Sequence, residues 1–163
     1  MNKKLTCCVI AIASLLITVI SAAQQIDPSI LNNSWSAFWI TAPNEPPRGY
    51  GVYFFRKQIE LSNKPASFIV HVSGDNRYKL FVNGHFVSLG PARSDLFYWN
   101  FETVDIAAHL TSGKNILSAI VWNDGDDRPE AQISNRTGFV LCGNTKSEYA
   151  VNTNKTWKCM RSK

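Results

Sequence analysis

From about residue 50 onward, apolar and aromatic residues come in short runs divided by Gly, Pro, Asn and Asp. Runs of this length, bounded by turn-forming residues, are the pattern of strands rather than helices. They predict strands over residues 36–40, 51–61, 66–73, 77–83, 85–89, 96–103, 115–123 and 137–143, with weaker candidates at 148–152 and 156–160. A 3.6-residue period is absent, and the one segment read as helix is 105–110, with Asp105 as its N-cap and Gly113 as its stop. The clearest local signal is Asn83-Gly84, flanked by apolar residues on both sides. Both positions tolerate φ > 0, which suits a two-residue type I′ hairpin. In that register Val82 faces His85, Phe81 faces Phe86 and Leu80 faces Val87. Tyr78, Leu80, Val82 and Val87 then share one face, with Phe81 and Phe86 on the other. Many short strands in one chain argue for an all-β fold, a β-sandwich of the jelly-roll or galactose-binding-like type.

The chain has 163 residues, and its opening reads as a leader. Asn2-Lys3-Lys4 is followed by the apolar run 5–20 and by Ser21-Ala22-Ala23 before Gln24. Charge, apolar stretch and small-residue exit make residues 1–23 a signal peptide, with the apolar run short of the ~20 residues that span a bilayer. Residues 24–163 would then form one exported domain, periplasmic or extracellular, with no membrane segment of its own. Without Lys3 and Lys4, 15 basic residues stand against 12 acidic ones in scattered order. No basic stripe marks a nucleic-acid partner. Cys142 and Cys159 are the two cysteines of the exported part, and they read as two half-buried thiols, with a disulfide as the rival.

Asp75-Asn76-Arg77-Tyr78-Lys79-Leu80-Phe81-Val82-Asn83-Gly84 and then Gly90-Pro91-Ala92-Arg93-Ser94-Asp95 resemble the N-terminal β-domain of bacterial α-L-rhamnosidases. The likeness continues through Thr103-Val104-Asp105-Ile106, Gly113-Lys114-Asn115 and Val121-Trp122-Asn123. It implies a non-catalytic sandwich that packs against or orients a rhamnosidase catalytic barrel. In this family the hydrolysis resembles the work of two carboxylates on a helical barrel far downstream, and no such barrel follows here, so the chain reads as cut short. The alternative is a carbohydrate-binding module for L-rhamnose or a rhamnose-containing glycan. Some sugar-binding members of the family hold a sugar-bridging calcium through a similar Asp-Asn pair. That makes Asp75 and Asn76 the candidate metal ligands, with Asn123 joining them, against the plain reading of an Asx turn that starts a strand.

Leu96-Phe97-Tyr98-Trp99-Asn100-Phe101 is the densest aromatic stretch. Strand alternation puts Phe97, Trp99 and Phe101 in the core and leaves Tyr98 on the opposite face, as a candidate ligand contact. The acidic group Asp124, Asp126, Asp127 and Glu130 reads as a solvated turn, with a calcium loop as its rival. His71, His85 and His109 fall at no metal spacing, and no nucleophile, phosphate-loop or zinc motif occurs.

Overall fold

Period-two alternation sets the layers. In the computed structural model, which describes residues 26–163, strand β1 (Gly51–Leu61) buries Gly51, Tyr53, Phe55 and Ile59 on one face. Strand β6 (Gly113–Asn123) buries Asn115, Leu117, Ala119, Val121 and Asn123 in the same way. The two pair antiparallel along their whole length, from Gly51 opposite Asn123 to Leu61 opposite Gly113. Around them stand β3 (Arg77–Val82), β4 (His85–Gly90) and β8 (Lys158–Arg161), giving a five-stranded sheet in the order β4-β3-β6-β1-β8. The second sheet has three strands, β5 (Glu102–Asp105), β2 (Ile69–Asp75) and β7 (Gly138–Gly143), in the order β5-β2-β7. Every strand pair is antiparallel. Tyr53, Phe55, Leu80, Leu117 and Val121 of the large sheet meet Val70, Val72, Phe139 and Leu141 of the small one, with Leu110 and Trp157 in the same core. The fold is the expected all-β sandwich. The leader reading falls outside the described residues.

Strands β2 and β7 are buried on both faces. Their outer face is covered by the N-terminal arm, which carries the short helix α1 (Pro28–Asn32). Pro28 supplies a preset φ at the helix start, and the Asp27 carboxylate caps it by accepting from the Ser29 N–H. Ile30 and Ala37 of this arm pack on Val140 and Cys142, with Trp35 and Phe101 alongside.

The turn at Asn83-Gly84 takes φ of 50° and 83°, as a type I′ hairpin requires. Val82 pairs with His85 and Phe81 with Phe86, but Leu80 then pairs with Ser88 and not Val87. A bulge makes the difference. It brings Ser88 within 2.9 Å of the buried Tyr78 hydroxyl and leaves Val87 packed against the core.

Four other expectations change. Segment 36–40 forms no strand; only Ile40 pairs, exchanging two hydrogen bonds with Phe139, while the arm lies across the sheet face. Segment 96–103 is strand only from Glu102, because the Asp95 carboxylate accepts from the Phe97 and Tyr98 N–H groups and folds the chain into a turn. Phe97 is therefore 91% exposed rather than core. The 105–110 helix shrinks to a 3-10 turn at Ala107–His109, and the weak strand at 148–152 is a 3-10 helix, Lys146–Val151, with a Thr145/Glu148 capping box. Cys142 and Cys159 are both free. Burial pushes both thiols up.

Asn115 fastens the large sheet's end. Its Oδ1 accepts from the Thr111 N–H (2.9 Å) and from Asn83 Nδ2 (2.8 Å), and its own Nδ2 donates to the Thr111 and Gly113 carbonyls. Asn83 Oδ1 in turn accepts from the Ile116 N–H at 2.8 Å. Asn115→Ala orphans several buried groups at once, so it is expected to lower unfolding free energy by about 2–4 kcal/mol. Urea melts measure this, and a loss below about 1 kcal/mol would show the knot to be unimportant.

Candidate functional site: the cleft at Asp75

Along β2, Val70 and Val72 face the core, while His71, Ser73 and Asp75 take the alternate, outward positions. Gly138, Val140 and Cys142 hold the same outward positions on β7. Between the covering arm, the 95–101 loop and residues 135–138, a cleft of about 570 Å³ opens over this face. Trp39, Leu96 and Trp99 line it together with Asp75 and the backbone stretch at Arg136 and Gly138. The Trp39 and Trp99 rings stand 5.9 Å apart at 86° to each other. A Cβ at Gly138 would sit 3.3 Å from the Trp39 ring, so the missing side chain lets that ring lie against the strand.

Asp75 is 2% exposed. Its Oδ2 accepts from the Asn135 and Arg136 N–H groups, both at 2.6 Å, and its Oδ1 has no partner. Asn76 follows through a cis peptide. Its Nδ2 donates to the Ile133 carbonyl (3.1 Å), its carbonyl accepts from Gln132 Nε2 (2.8 Å), and its Oδ1 is likewise buried without a partner. Asn123 donates to the Ser134 and Thr137 hydroxyls, and its Oδ1 accepts from the Gly125 N–H at 2.9 Å. All three residues therefore grip one loop, 132–137. Asn123 is saturated by that task, whereas Asp75 and Asn76 each keep one oxygen spare.

Tyr98 is not among the residues lining the cleft; it stands 78% exposed on the loop tip. Its neighbour Trp99 lines the cleft instead, with its indole Nε1–H buried and unpartnered. Trp39 was legible only as part of a predicted strand. The acidic group at 124–130 surrounds a 3-10 turn, Gly125–Asp127, whose Gly125 carbonyl accepts from Arg128. Among the described residues no three His, Cys, Asp or Glu side chains converge as a metal site. Two cleft residues carry buried polar atoms without a protein partner, Asp75 Oδ1 and Trp99 Nε1, and the Trp39 and Trp99 rings meet edge to face in the lining. Such a set suits a ligand with hydroxyls on its edges and C–H faces between them.

No protein-family model matches the sequence, and no curated protein is significantly similar to it. Solved structures do resemble the fold. The GH78 family rhamnosidase of Bacillus sp. GL1 is similar at 25% identity and a TM-score of 0.71, over 79% of this chain and 14% of that one. The α-L-rhamnosidase of Dictyoglumus thermophilum is similar at 20% identity and a TM-score of 0.60, over 78% of this chain and 17% of that one. A lectin of Pleurotus ostreatus shares the fold at 19% identity and a TM-score of 0.55, over 78% of this chain and 35% of that one. The structural neighbours thus include α-L-rhamnosidases, matched over 14% and 17% of their lengths, alongside a lectin. This chain spans only a small part of their length.

Beneath the arm, His71 is fully buried. The Asp27 N–H donates to Asn144 Oδ1, which identifies that atom as an acceptor, so His71 Nε2 donates to it at 3.0 Å. The other ring nitrogen meets the Thr103 hydroxyl at 3.0 Å. Burial holds the imidazole below its usual pKa, against weaker upward pulls from Asn144 and the Glu148 carboxylate. A base with a depressed folded pKa favours folding fully above its unfolded value of about 6.5, and that contribution is lost as pH falls toward the folded value. Stability is expected to drop between about pH 7.5 and about pH 5, by at most ~1.4 kcal/mol per pH unit, and His71→Gln should flatten the slope. Equal urea midpoints for the parent at both pH values would contradict this.

Proposed function

We propose that this chain is a non-catalytic accessory β-sandwich of an exported α-L-rhamnosidase-like glycoside hydrolase, packing against or orienting a catalytic barrel. The observation that carries it is the likeness to the Bacillus sp. GL1 enzyme, which covers 79% of this chain yet only 14% of that one. The cleft's chemistry agrees. Asp75 is the only carboxylate among its described lining residues, whereas inverting glycoside hydrolysis needs an acid and a base roughly 6.5–9.5 Å apart. A graft tests the reading. Replacing the matched region of the GL1 enzyme with residues 26–163 should give soluble protein that cleaves an aryl α-L-rhamnoside within about tenfold of the parent rate. Outright deletion of that region should not. A graft as inactive as the deletion would defeat the proposal.

A second reading, a calcium-assisted carbohydrate-binding module for L-rhamnose or rhamnosylated glycans, is favoured by one further observation. Asp75 Oδ1 and Asn76 Oδ1 are buried, unpartnered oxygens on consecutive residues, and Asp75 lines the aromatic-walled cleft. Hard cations bind through carboxylate and amide oxygens, so these two residues fit calcium and would hold it. Asn123 fits less well, since its amide oxygen already accepts from Gly125. Bound calcium would supply a Lewis-acidic point for sugar hydroxyls, while Trp39 and Trp99 would stack against the ring's C–H faces. Calorimetry with millimolar L-rhamnose should give heat that disappears in EDTA and in Asp75→Ala. Heat that survives EDTA removes calcium from the reading, and no heat in either condition removes the sugar.

A further inference from the structure

The cleft does not end at its rim. Leu96 and Trp99 both line it, and the two residues between them, Phe97 and Tyr98, stand 91% and 78% exposed. Trp39, edge-on to Trp99, is half exposed, and its neighbour Phe38 is exposed too. Three large apolar side chains, Leu96, Trp99 and Trp39, thus line one opening, and the exposed Phe97, Tyr98 and Phe38 adjoin them along the chain. Water solvates such a rim poorly, and a contiguous exposed apolar border of this kind marks a binding surface. Nor is the tip a loose strand end. The Asp95 carboxylate accepts from the Phe97 and Tyr98 N–H groups at 2.7 and 2.9 Å, and Asn100 Nδ2 donates to the Arg93 carbonyl. The aromatic rings are presented on a turn that is already formed, which lowers the ordering cost of binding.

Resting on the carbohydrate-binding reading, we infer that the site takes a chain of several sugar units, one seated in the cleft and the next lying over the Phe97–Tyr98 rim. Two independent observations support a chain over a single sugar. The cleft, about 570 Å³, has the size of pockets that hold drug-sized ligands rather than one ring. Two of its lining residues carry polar atoms without a protein partner, Asp75 Oδ1 and Trp99 Nε1, the candidates to meet hydroxyls of the seated unit. The rim supplies aromatic faces without further buried polar groups, a surface that stacks on sugar rings without choosing among their hydroxyls. Continuity between rim and cleft, through Leu96 and Trp39, makes one ligand the occupant of both.

Titration of the intact chain with L-rhamnose, a rhamnose disaccharide and a rhamnose tetrasaccharide, in calcium, tests this. Affinity is expected to rise at least about tenfold from the single sugar to the tetrasaccharide. In the double variant Phe97→Ala/Tyr98→Ala the tetrasaccharide should bind no more tightly than L-rhamnose, with the melting temperature unchanged because both side chains are solvent-exposed. Equal affinities for all three sugars, or an undiminished rise in the double variant, would overturn the inference while leaving the carbohydrate reading intact. Silence with every sugar would end both. A parent that sediments as a dimer and a double variant that sediments as a monomer would assign the rim to self-association and overturn the inference.

Discussion

The three-stranded sheet has to be covered twice. Strands β2 and β7 carry apolar side chains on both faces, Val70, Val72, Phe139 and Leu141 inward and Val140 and Cys142 outward. The inward set is satisfied by the five-stranded sheet, as in any two-layer sandwich. The outward set, together with the buried imidazole of His71, needs a second cover that no third sheet provides. The chain supplies it from two distant segments, the N-terminal arm with Ile30 and Ala37 and the loop carrying Phe101, locked by Trp35 against Phe101 at 5.1 Å. The cover is long enough for most of the face and leaves a cleft at the Asp75 end, where Trp39 of the arm and Trp99 of the loop meet edge to face. The cleft's place in the fold follows from the order of coverage.

Such a cover leaves backbone to satisfy. Loop 132–137 runs beside the opening, and its N–H and C=O groups need partners. Asp75, Asn76 and Asn123 provide them from the ends of β2 and β6. A carboxylate held by two backbone N–H groups is stable in burial, because the donors replace the water it gives up. The remaining spare oxygens are a deficit. An unsatisfied buried polar group costs about 1–3 kcal/mol, and Asp75 Oδ1, Asn76 Oδ1 and Trp99 Nε1 all carry it near one opening. Elsewhere among the described residues the buried Tyr53 hydroxyl also lacks a partner, whereas Asn115 is saturated, Asn152 bridges Gly143 and Ser36, and His71 has partners on both nitrogens.

How much of this the residues announce depends on the range of the interaction. Strand β1 was legible to the residue, since alternation over 51–61 is a local property and the pairing with β6 runs unbroken. The hairpin at Asn83-Gly84 was equally legible, since the turn chemistry lies in two residues. Its bulge was not, because that is decided by a contact between Tyr78 and Ser88 across the pair. Segment 96–103 misled because β-propensity and turn chemistry competed there, and one carboxylate at Asp95 decided the contest. The Thr145-to-Glu148 capping box was present in the letters and was overlooked beneath the apolar pattern. Asp75, Asn76 and Asn123 were singled out by a family resemblance, and what the structure shows of them is that their side chains all bond one loop, 132–137. Trp39 was not, since only the pairing of Ile40 with Phe139 brings it over Gly138.

The division of labour among those three residues separates folding from binding in a way that composition alone does not. Asn123 spends both ends of its amide on protein groups and is a structural clamp. Asp75 spends one oxygen on the same loop and leaves the other without a protein partner, so under the carbohydrate-binding proposal it would both clamp the loop and meet a ligand. A site built this way is rigid before anything binds, because the group that would meet the ligand is already fixed by its second atom. Rigidity of that kind reduces the entropy lost on binding, and it places the aromatic walls at a set distance from the free oxygen. The same coupling has a cost: any substitution at Asp75 disturbs the loop as well as the cleft, so loss of binding there has to be separated from loss of fold. The exposed pair Phe97 and Tyr98 carries no such double duty, because their backbone N–H groups hold the turn to Asp95 whatever their side chains are.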